Sequence, residues 1–275
     1  MAAKIDNKYV KKLIPSRKKS SSKIDGGKVL IVAGGTQFHG AGILSALAAT
    51  KCGAGYTHLM SDLSRYPWLK FPDFILHKFS LRELKKNSNS VIAMGPGLGT
   101  TPDKKKLLQF LIKKEIEKVI LDADALTMLS KMKVKKLPST WILTPHEGEL
   151  ARLLGMSSSA VKKNREGALK MAGKKYGCTI ILKGADTLII EDKKHYKVSN
   201  GSPALAKAGT GDVLLGMIGA FYSQGLNPTD AAILGVFIHG QAAKDWQKKK
   251  RDHLSLRPMD LIEELPSTIF KLRRK

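Results

Sequence analysis

Residues 28–53 read KVLIVAGGTQFHGAGILSALAATKCG. The run 28–33 is apolar at almost every position, Gly34-Gly35-Thr36 ends it, and Gly40-Ala41-Gly42 opens an apolar helical stretch. A short run without polar alternation suits a strand covered on both faces. Strand, glycine loop and helix in that order form the first half of a βαβ unit, and a phosphate or nucleotide site is one use of such a loop. The spacing is neither G-x-G-x-x-G nor G-x-x-x-x-G-K-[ST], so it supports neither a dinucleotide fingerprint nor a P-loop. Close helix packing is the other reading of these small residues.

The same order recurs outward from this unit. Residues 56–60 read as a strand. Residues 90–94 are a strand followed by Gly95-Pro96-Gly97-Leu98-Gly99, and 104–117 have the 3–4 residue apolar spacing of an amphipathic helix. Residues 118–121 lead into Asp122-Ala123-Asp124, a pair that suits either Mg²⁺ held through water or a helix cap. Residues 141–143 precede Thr144-Pro145-His146-Glu147-Gly148-Glu149, which reads as a helix start with His146 at the strand–helix junction. Residues 158–176 read as helical. Residues 178–182 run into Lys183-Gly184-Ala185-Asp186-Thr187, a loop suited to a phosphate or a nucleotide, or else a plain turn. Strands at 188–190 and 196–198 follow as a hairpin, and helices are expected at 229–248 and 259–272. This alternation predicts an α/β fold, a doubly wound, mainly parallel sheet with helices on both faces. Residues 1–27 read as a basic lead-in and 28–275 as a single domain.

The richest stretch is 199–216, SNGSPALAKAGTGDVLLG. Gly209 and Gly211 let the backbone turn tightly, and the first N–H groups of the helix that follows favour an anion. Asp212 stands at that helix mouth. It is either an ordinary capping acid or a base that takes a proton from a hydroxyl about to meet phosphate.

Composition narrows the alternatives. The 275 residues carry 48 Lys and Arg against 23 Asp and Glu, a formal net charge of +25. The lysines are scattered, as in KKKLLQFLIKKEIEK, and read as solvated helix faces. No RNP-type motif or zinc-finger spacing accompanies them, so no specific nucleic-acid role is expected. Only Cys52 and Cys178 are present, which points to a reducing compartment. The N-terminal residues lack an apolar signal core, and no apolar run is long enough to span a bilayer, so no membrane role is expected and the cytoplasm is the expected location.

Taken together, VIAMGPGLGT (91–100), LDADAL (121–126), ILTPHEGEL (142–150), ILKGADT (181–187) and the 199–216 stretch resemble the ADP/ATP-dependent NAD(P)H-hydrate dehydratases of the ribokinase-like superfamily. The likeness runs from about Val29 to Gln247, and TPHEGE with AGTGD is its most specific part. It implies repair of NADH hydrate and NADPH hydrate, with ADP preferred over ATP, Mg²⁺ as cofactor, and release of AMP and phosphate. It implies Asp212 as the catalytic base and Gly209, Thr210 and Gly211 as the anion hole. It implies Lys183, Gly184, Ala185, Asp186, Thr187 and Gly211 as nucleotide contacts, and Ala41, Gly99, His146 and Asp212 as contacts to the hydrate. No side chain is assigned as a metal ligand. A homo-oligomer, with a tetramer as one form, is also implied.

Two departures stand out. Ser202 replaces a frequent Asn in Gly-Asn-Pro, and Glu147 replaces a frequent Pro. No epimerase-like domain precedes the matching part, so interconversion of the hydrate epimers is expected to be spontaneous or separately catalysed. The competing reading is a ribokinase-like kinase of a vitamin precursor, using the same Asp212.

Overall fold

The computed structural model describes residues 3–62, 73–249 and 251–274. The first two residues of the lead-in, Lys250 of the 248–250 lysine run and Lys275 lie outside them. In chain order the first elements are β1 (Ala3–Lys4), α1 (Asn7–Leu13), β2 (Lys28–Val32), α2 (His39–Lys51), β3 (Tyr56–Ser61) and β4 (Ile75–Lys78). Next come α3 (Leu81–Lys86), β5 (Val91–Met94), α4 (Pro102–Lys113), β6 (Val119–Leu121), α5 (Ala123–Ser130) and β7 (Ile142–Leu143). Then follow α6 (Glu147–Leu154), α7 (Ser158–Lys163), α8 (Arg165–Tyr176), β8 (Thr179–Leu182), β9 (Thr187–Glu191) and β10 (Lys194–Val198). Helices α9 (Thr210–Ser223), α10 (Pro228–Gln247) and α11 (Pro258–Arg274) complete the chain.

The strands form one sheet in the order β1-β10-β9-β8-β7-β6-β5-β2-β3-β4. Pairings from β4 through β8 are parallel, whereas β9 is antiparallel to both β8 and β10. Strand period two explains why β2 is apolar throughout. Val29 and Ile31 enter a core with α2, α9, α10 and α11, while Leu30 and Val32 enter the opposite core with α4, α5, α6 and α8. Both faces are therefore covered, as expected.

The topology also places the site. From β2 the chain runs outward to β3 and β4, then returns to β5 on the other side of β2. Open α/β sheets bind ligands at the C-terminal ends of the strands where the order reverses in this way. Here those ends carry the 34–38 and 95–99 loops, stitched together by the Gly34 N–H donating to the Pro96 carbonyl at 2.9 Å.

Helices α2 and α9 meet beside this point because Gly216 has no side chain. A Cβ there would stand 2.0 Å from the Ser45 carbonyl oxygen. The close approach lets the Ser45 hydroxyl reach the Ala41 and Asp212 carbonyl oxygens, each at 2.9 Å. The first turns of the two helices thus lie side by side.

Two expectations need correction, and a third, the helical stretch 158–176, gains a break. Residues 3–14 are not a mere lead-in: β1 extends the sheet along β10, and Ile5, Val10 and Ile14 are buried in the core. Their apolar residues are too few among lysines to show a period. Residues 158–176 are two helices, because Asn164 leaves helical geometry at φ −139° and ψ 73° and its side chain caps α8 at the Gly167 N–H. Lys104 is not on a solvated face either. It is buried, bonds Asp62 Oδ1 at 3.0 Å and lies over the Phe79 ring. A lysine at the inner edge of an amphipathic helix can turn inward once a carboxylate waits there, and Asp62 comes from a distant strand end.

Candidate active site

Five side chains gather at the C-terminal edge of β6, β7 and β8 and at the mouth of α9. Asp122 follows β6 and is buried; its Oδ1 accepts a hydrogen bond from Lys183 Nζ at 2.6 Å. The same ammonium lies 3.7 Å from Glu149 Oε2. Burial opposes the charged lysine, but Asp122, Glu149 and Asp212 together outweigh it, so its pKa is raised. For Asp212 the balance runs the other way. Burial first, and then the Asp122 charge, push its carboxyl up to about 6, against the pull of Lys183. A carboxylate with that pKa is half-ready to bind a proton near neutral pH, which suits a general base.

His146 is the N-cap of α6. Its Nδ1 accepts the Gly148 N–H at 2.9 Å and the Glu149 N–H at 3.3 Å, while Glu149 Oε2 accepts the His146 N–H at 2.8 Å. This is a reciprocal capping box with His in the usual Ser or Thr position. Because Nδ1 accepts, the proton belongs on Nε2, and the ring is 56% exposed. The structural and ligand-facing readings of His146 are thus compatible.

Gly209 begins α9 in the left-handed region at φ +92°, where a Cβ would meet Pro258 and Leu44 at 2.7 and 2.9 Å. The N–H groups of Gly209, Gly211 and Asp212 have no protein acceptor among the described residues, whereas that of Thr210 reaches the Lys207 carbonyl at 3.4 Å. The Thr210 hydroxyl is likewise turned to the Leu205 and Lys207 carbonyls. His239 Nε2 lies 2.8 Å from the Thr210 carbonyl, and burial pushes this imidazole down to about 4, so it is neutral at working pH and fixes the turn from behind.

A cavity of about 410 Å³ opens beside these donors, lined in part by Lys183, Gly184, Ala185, Thr187, Thr210 and Gly211. Its volume is that of a small-molecule site. Asp186 is not on its wall: that carboxylate pairs with Lys197 at 2.8 Å. A more open cavity of about 500 Å³ shares Lys183, Gly184 and Ala185 and extends past His146 to Ser158 and Lys162.

Of the predicted hydrate contacts, Ala41, Gly99 and Asp212 line neither cavity. Ala41 is joined through Ser45 to the first turn of α9 and packs against the 97–99 loop. The Gly99 N–H donates to Asp124 Oδ2 at 2.7 Å. Of the two aspartates, then, Asp122 serves the ion cluster and Asp124 orients the glycine loop; neither side chain caps α5 at its N-cap. Ser202 lines the 410 Å³ cavity, but its hydroxyl donates to Gln247 Oε1 at 2.7 Å.

Sequence reading missed Glu149 as a buried partner of Lys183, His239 behind the turn, and Arg165. The capping-box spacing would have flagged Glu149 had the cap been Ser or Thr; nothing local marks the other two. Among the described residues, no group of three His, Cys, Asp or Glu side chains could hold a metal ion.

A doubly wound sheet with a glycine-turned helix mouth and a carboxylate above it defines a ribokinase-like protein. A family model described as NAD(P)H-hydrate dehydratase matches residues 29–267, and the chain belongs to that family. The bifunctional NAD(P)H-hydrate repair enzyme Nnr of Thermofilum pendens is 34% identical over 94% of this chain and 53% of its own length. The chain spans about half the length of such bifunctional relatives. The ADP-dependent (S)-NAD(P)H-hydrate dehydratase of Nitrosopumilus maritimus is 32% identical over 95% of this chain and 94% of its own. Among solved structures, the ADP/ATP-dependent NAD(P)H-hydrate dehydratase of Bacillus subtilis co-crystallised with ATP/Mg²⁺ superposes with a TM-score of 0.85 at 27% identity, covering 98% of this chain and 99% of that one.

Proposed function

We propose that this chain dehydrates NADH hydrate and NADPH hydrate back to the reduced cofactor, using ADP in preference to ATP. The observation that carries the mechanism is Asp212, with a pKa of about 6, standing beside the unpaired N–H groups of Gly209 and Gly211. Asp212 takes the proton of the C6 hydroxyl as its oxygen attacks the terminal phosphorus of the nucleotide. The new O–P bond forms, the bridging P–O bond breaks and AMP departs from ADP. The free N–H groups at the head of α9 face the charge on the transferred group, and such fixed donors are worth several kcal/mol in a water-poor site. The C6–O bond then breaks with phosphate taking the electron pair, the ring nitrogen lone pair assists, and loss of the C5 proton restores the double bond.

In this reading the 410 Å³ cavity takes the nucleotide, with Lys183, Gly184, Ala185, Asp186, Thr187 and Gly211 as its loop and helix contacts. Asp186 contributes through its backbone, since its carboxylate is paired elsewhere. Ala41, Gly99, His146 and Asp212 face the hydrate, and the small residues leave room for a flat ring. No group of side chains among the described residues forms a cage for Mg²⁺, and in this reading the ion would enter with the nucleotide phosphates, where it screens their charge. We place the enzyme in the cytoplasm as a homo-oligomer, a tetramer being the form to look for by light scattering; no helix among the described residues is long and apolar enough to cross a membrane.

The test is the product. With NADPH hydrate and ADP, the absorbance band of the reduced nicotinamide is expected to return in step with AMP and phosphate. Accumulation of a stable phosphorylated alcohol would instead identify a small-molecule kinase.

Gly211 separates ligand requirements from folding requirements. It lies in helical backbone, and a Cβ there would meet nothing within 4 Å. Gly211→Ala is therefore expected to keep or slightly raise the melting temperature, since alanine in a helix gains up to about 1 kcal/mol over glycine. ADP affinity should nonetheless fall about 10-fold, because the added methyl enters the nucleotide cavity, a contact loss of about 1.4 kcal/mol. Calorimetric titration against a melting curve checks both halves; a variant that bound ADP normally would remove Gly211 from the nucleotide site.

A further inference from the structure

Arg165 holds more of the nucleotide loop than any residue within the loop. It is the first residue of α8, and the Asn164 break between α7 and α8 turns it toward the end of β8. Its Nη1 donates to the Asp186 carbonyl at 2.8 Å. Its Nη2 donates to the Lys183 carbonyl at 3.0 Å, with the Leu182 carbonyl at 3.4 Å. The remaining nitrogen, Nε, lies at ion-pair distance from Glu147 Oε1, 3.0 Å, but its N–H makes no hydrogen bond among the described residues. Glu147 opens α6, one residue past the His146 cap. One planar guanidinium thus ties together the head of α6, the head of α8 and three carbonyls of residues 182–186. On the loop itself, the N–H groups of Gly184, Ala185 and Asp186 have no protein acceptor among the described residues. Carbonyls drawn to one side leave amides free on the other, which is how a backbone anion nest is made.

We propose that the Glu147–Arg165 pair is a clamp that presets the 183–187 loop for an adenine nucleotide, with Arg165 as its positioning residue. Arg165 acts through the loop carbonyls rather than on the nucleotide. Glu147 offsets the guanidinium charge, while the bonds to the Asp186 and Lys183 carbonyls fix the plane of the fork. Gly184 completes the fit, because a Cβ there would stand 2.4 Å from Nη2 and push the guanidinium away. The same pair links the His146 cap on the hydrate side to the loop on the nucleotide side. The proposal rests on the nucleotide reading above.

The experiment measures ADP binding to the full chain by calorimetry, without hydrate, alongside kcat and KM. Lysine lacks the planar fork that makes three divergent bonds, so Arg165→Lys is expected to weaken ADP binding about 10-fold, and Glu147→Gln about 3-fold. The KM for hydrate and the kcat at saturating ADP should stay within about twofold, as expected when only nucleotide binding is lost. Hydrogen exchange at the Lys183 N–H, which bonds the Pro145 carbonyl, should quicken in the free Arg165→Lys variant and return to the wild-type rate with ADP. Gly184→Ala should reproduce the loss of ADP affinity.

Unchanged ADP affinity in Arg165→Lys, or an equal loss of ADP and hydrate affinity, would overturn the clamp. Should Arg165→Lys not fold, Glu147→Gln decides alone, and normal ADP binding in it is the overturning result. A wild-type chain that binds ADP yet never regenerates NADPH would refute the proposed reaction and leave the clamp standing. A chain that binds no ADP would refute both.

Discussion

Asp212→Asn is expected to lower turnover by about 10²- to 10⁴-fold, the range a general base supplies, while leaving ADP affinity close to wild type. The asparagine keeps the shape of the side chain and its helix position but cannot take the hydroxyl proton. In the wild type, kcat/KM should fall as pH drops through about 6, since the Asp212 carboxyl is held up there by burial and by Asp122. The same group makes a stability prediction of opposite sense. A native pKa above the unfolded value means that the ionised form costs the fold free energy. That cost is absent below the unfolded pKa of about 4 and complete above the native one. Asp212→Asn should therefore raise the melting temperature at pH 8 and leave it nearly unchanged at pH 4. An inactive but more stable protein is the expected sign of a residue kept for chemistry. Near-normal turnover in this variant would remove the base from the mechanism.

The largest loss of stability is expected from Lys183→Met. Its ammonium bonds Asp122 and lies beside Glu149, and both carboxylates are nearly fully buried. Removing one partner of a buried ion pair typically costs about 3–5 kcal/mol, because the remaining charge has no compensation. The reading of Lys183 as a nucleotide lysine leads to a different expectation, a loss confined to ADP affinity. With the ammonium committed to the acidic cluster, nucleotide contact falls to the backbone of the loop. Adding Asp122→Asn to Lys183→Met should recover part of the stability, since the cluster then carries one negative charge fewer. In Lys183→Met the acid limb of the activity profile should move to higher pH, because Asp212 loses the cation that opposes its raised pKa. A melting temperature within about 2 °C of wild type would contradict this account, since a loss of several kcal/mol shifts a chain of this size by more.

These effects show how unevenly the site could be read from the chain. Asp212, the glycines before it and the 183–187 loop were legible because each is a local pattern: a glycine turn before an apolar helix, or a lysine and glycine at a strand end. Lys183 stands at the end of β8, as the strand pattern places it, but the partners of its ammonium are not legible locally, since Asp122 lies 61 residues away. Arg165 carries no local signal of its own, and the break at Asn164 that turns it toward the loop falls within the stretch 158–176 that reads as helical. Lys104 was missed for the same reason, as its carboxylate partner is 42 residues distant. The N-terminal strand and helix were missed because their few apolar residues have no period of their own and gain meaning only against β10, α10 and α11.

By itself, the order of residues determined the alternation of strand and helix, the burial of both sheet faces and the place of the glycine loops at strand ends. These follow from hydrophobic periodicity and backbone freedom, which act between near neighbours. Only the tertiary structure decided the strand order that brings the 34–38 and 95–99 loops together. It also decided the partners of Lys183 and the grip of Arg165 on its loop, because charges and hydrogen-bond donors find one another through space, and distance along the chain carries no record of it.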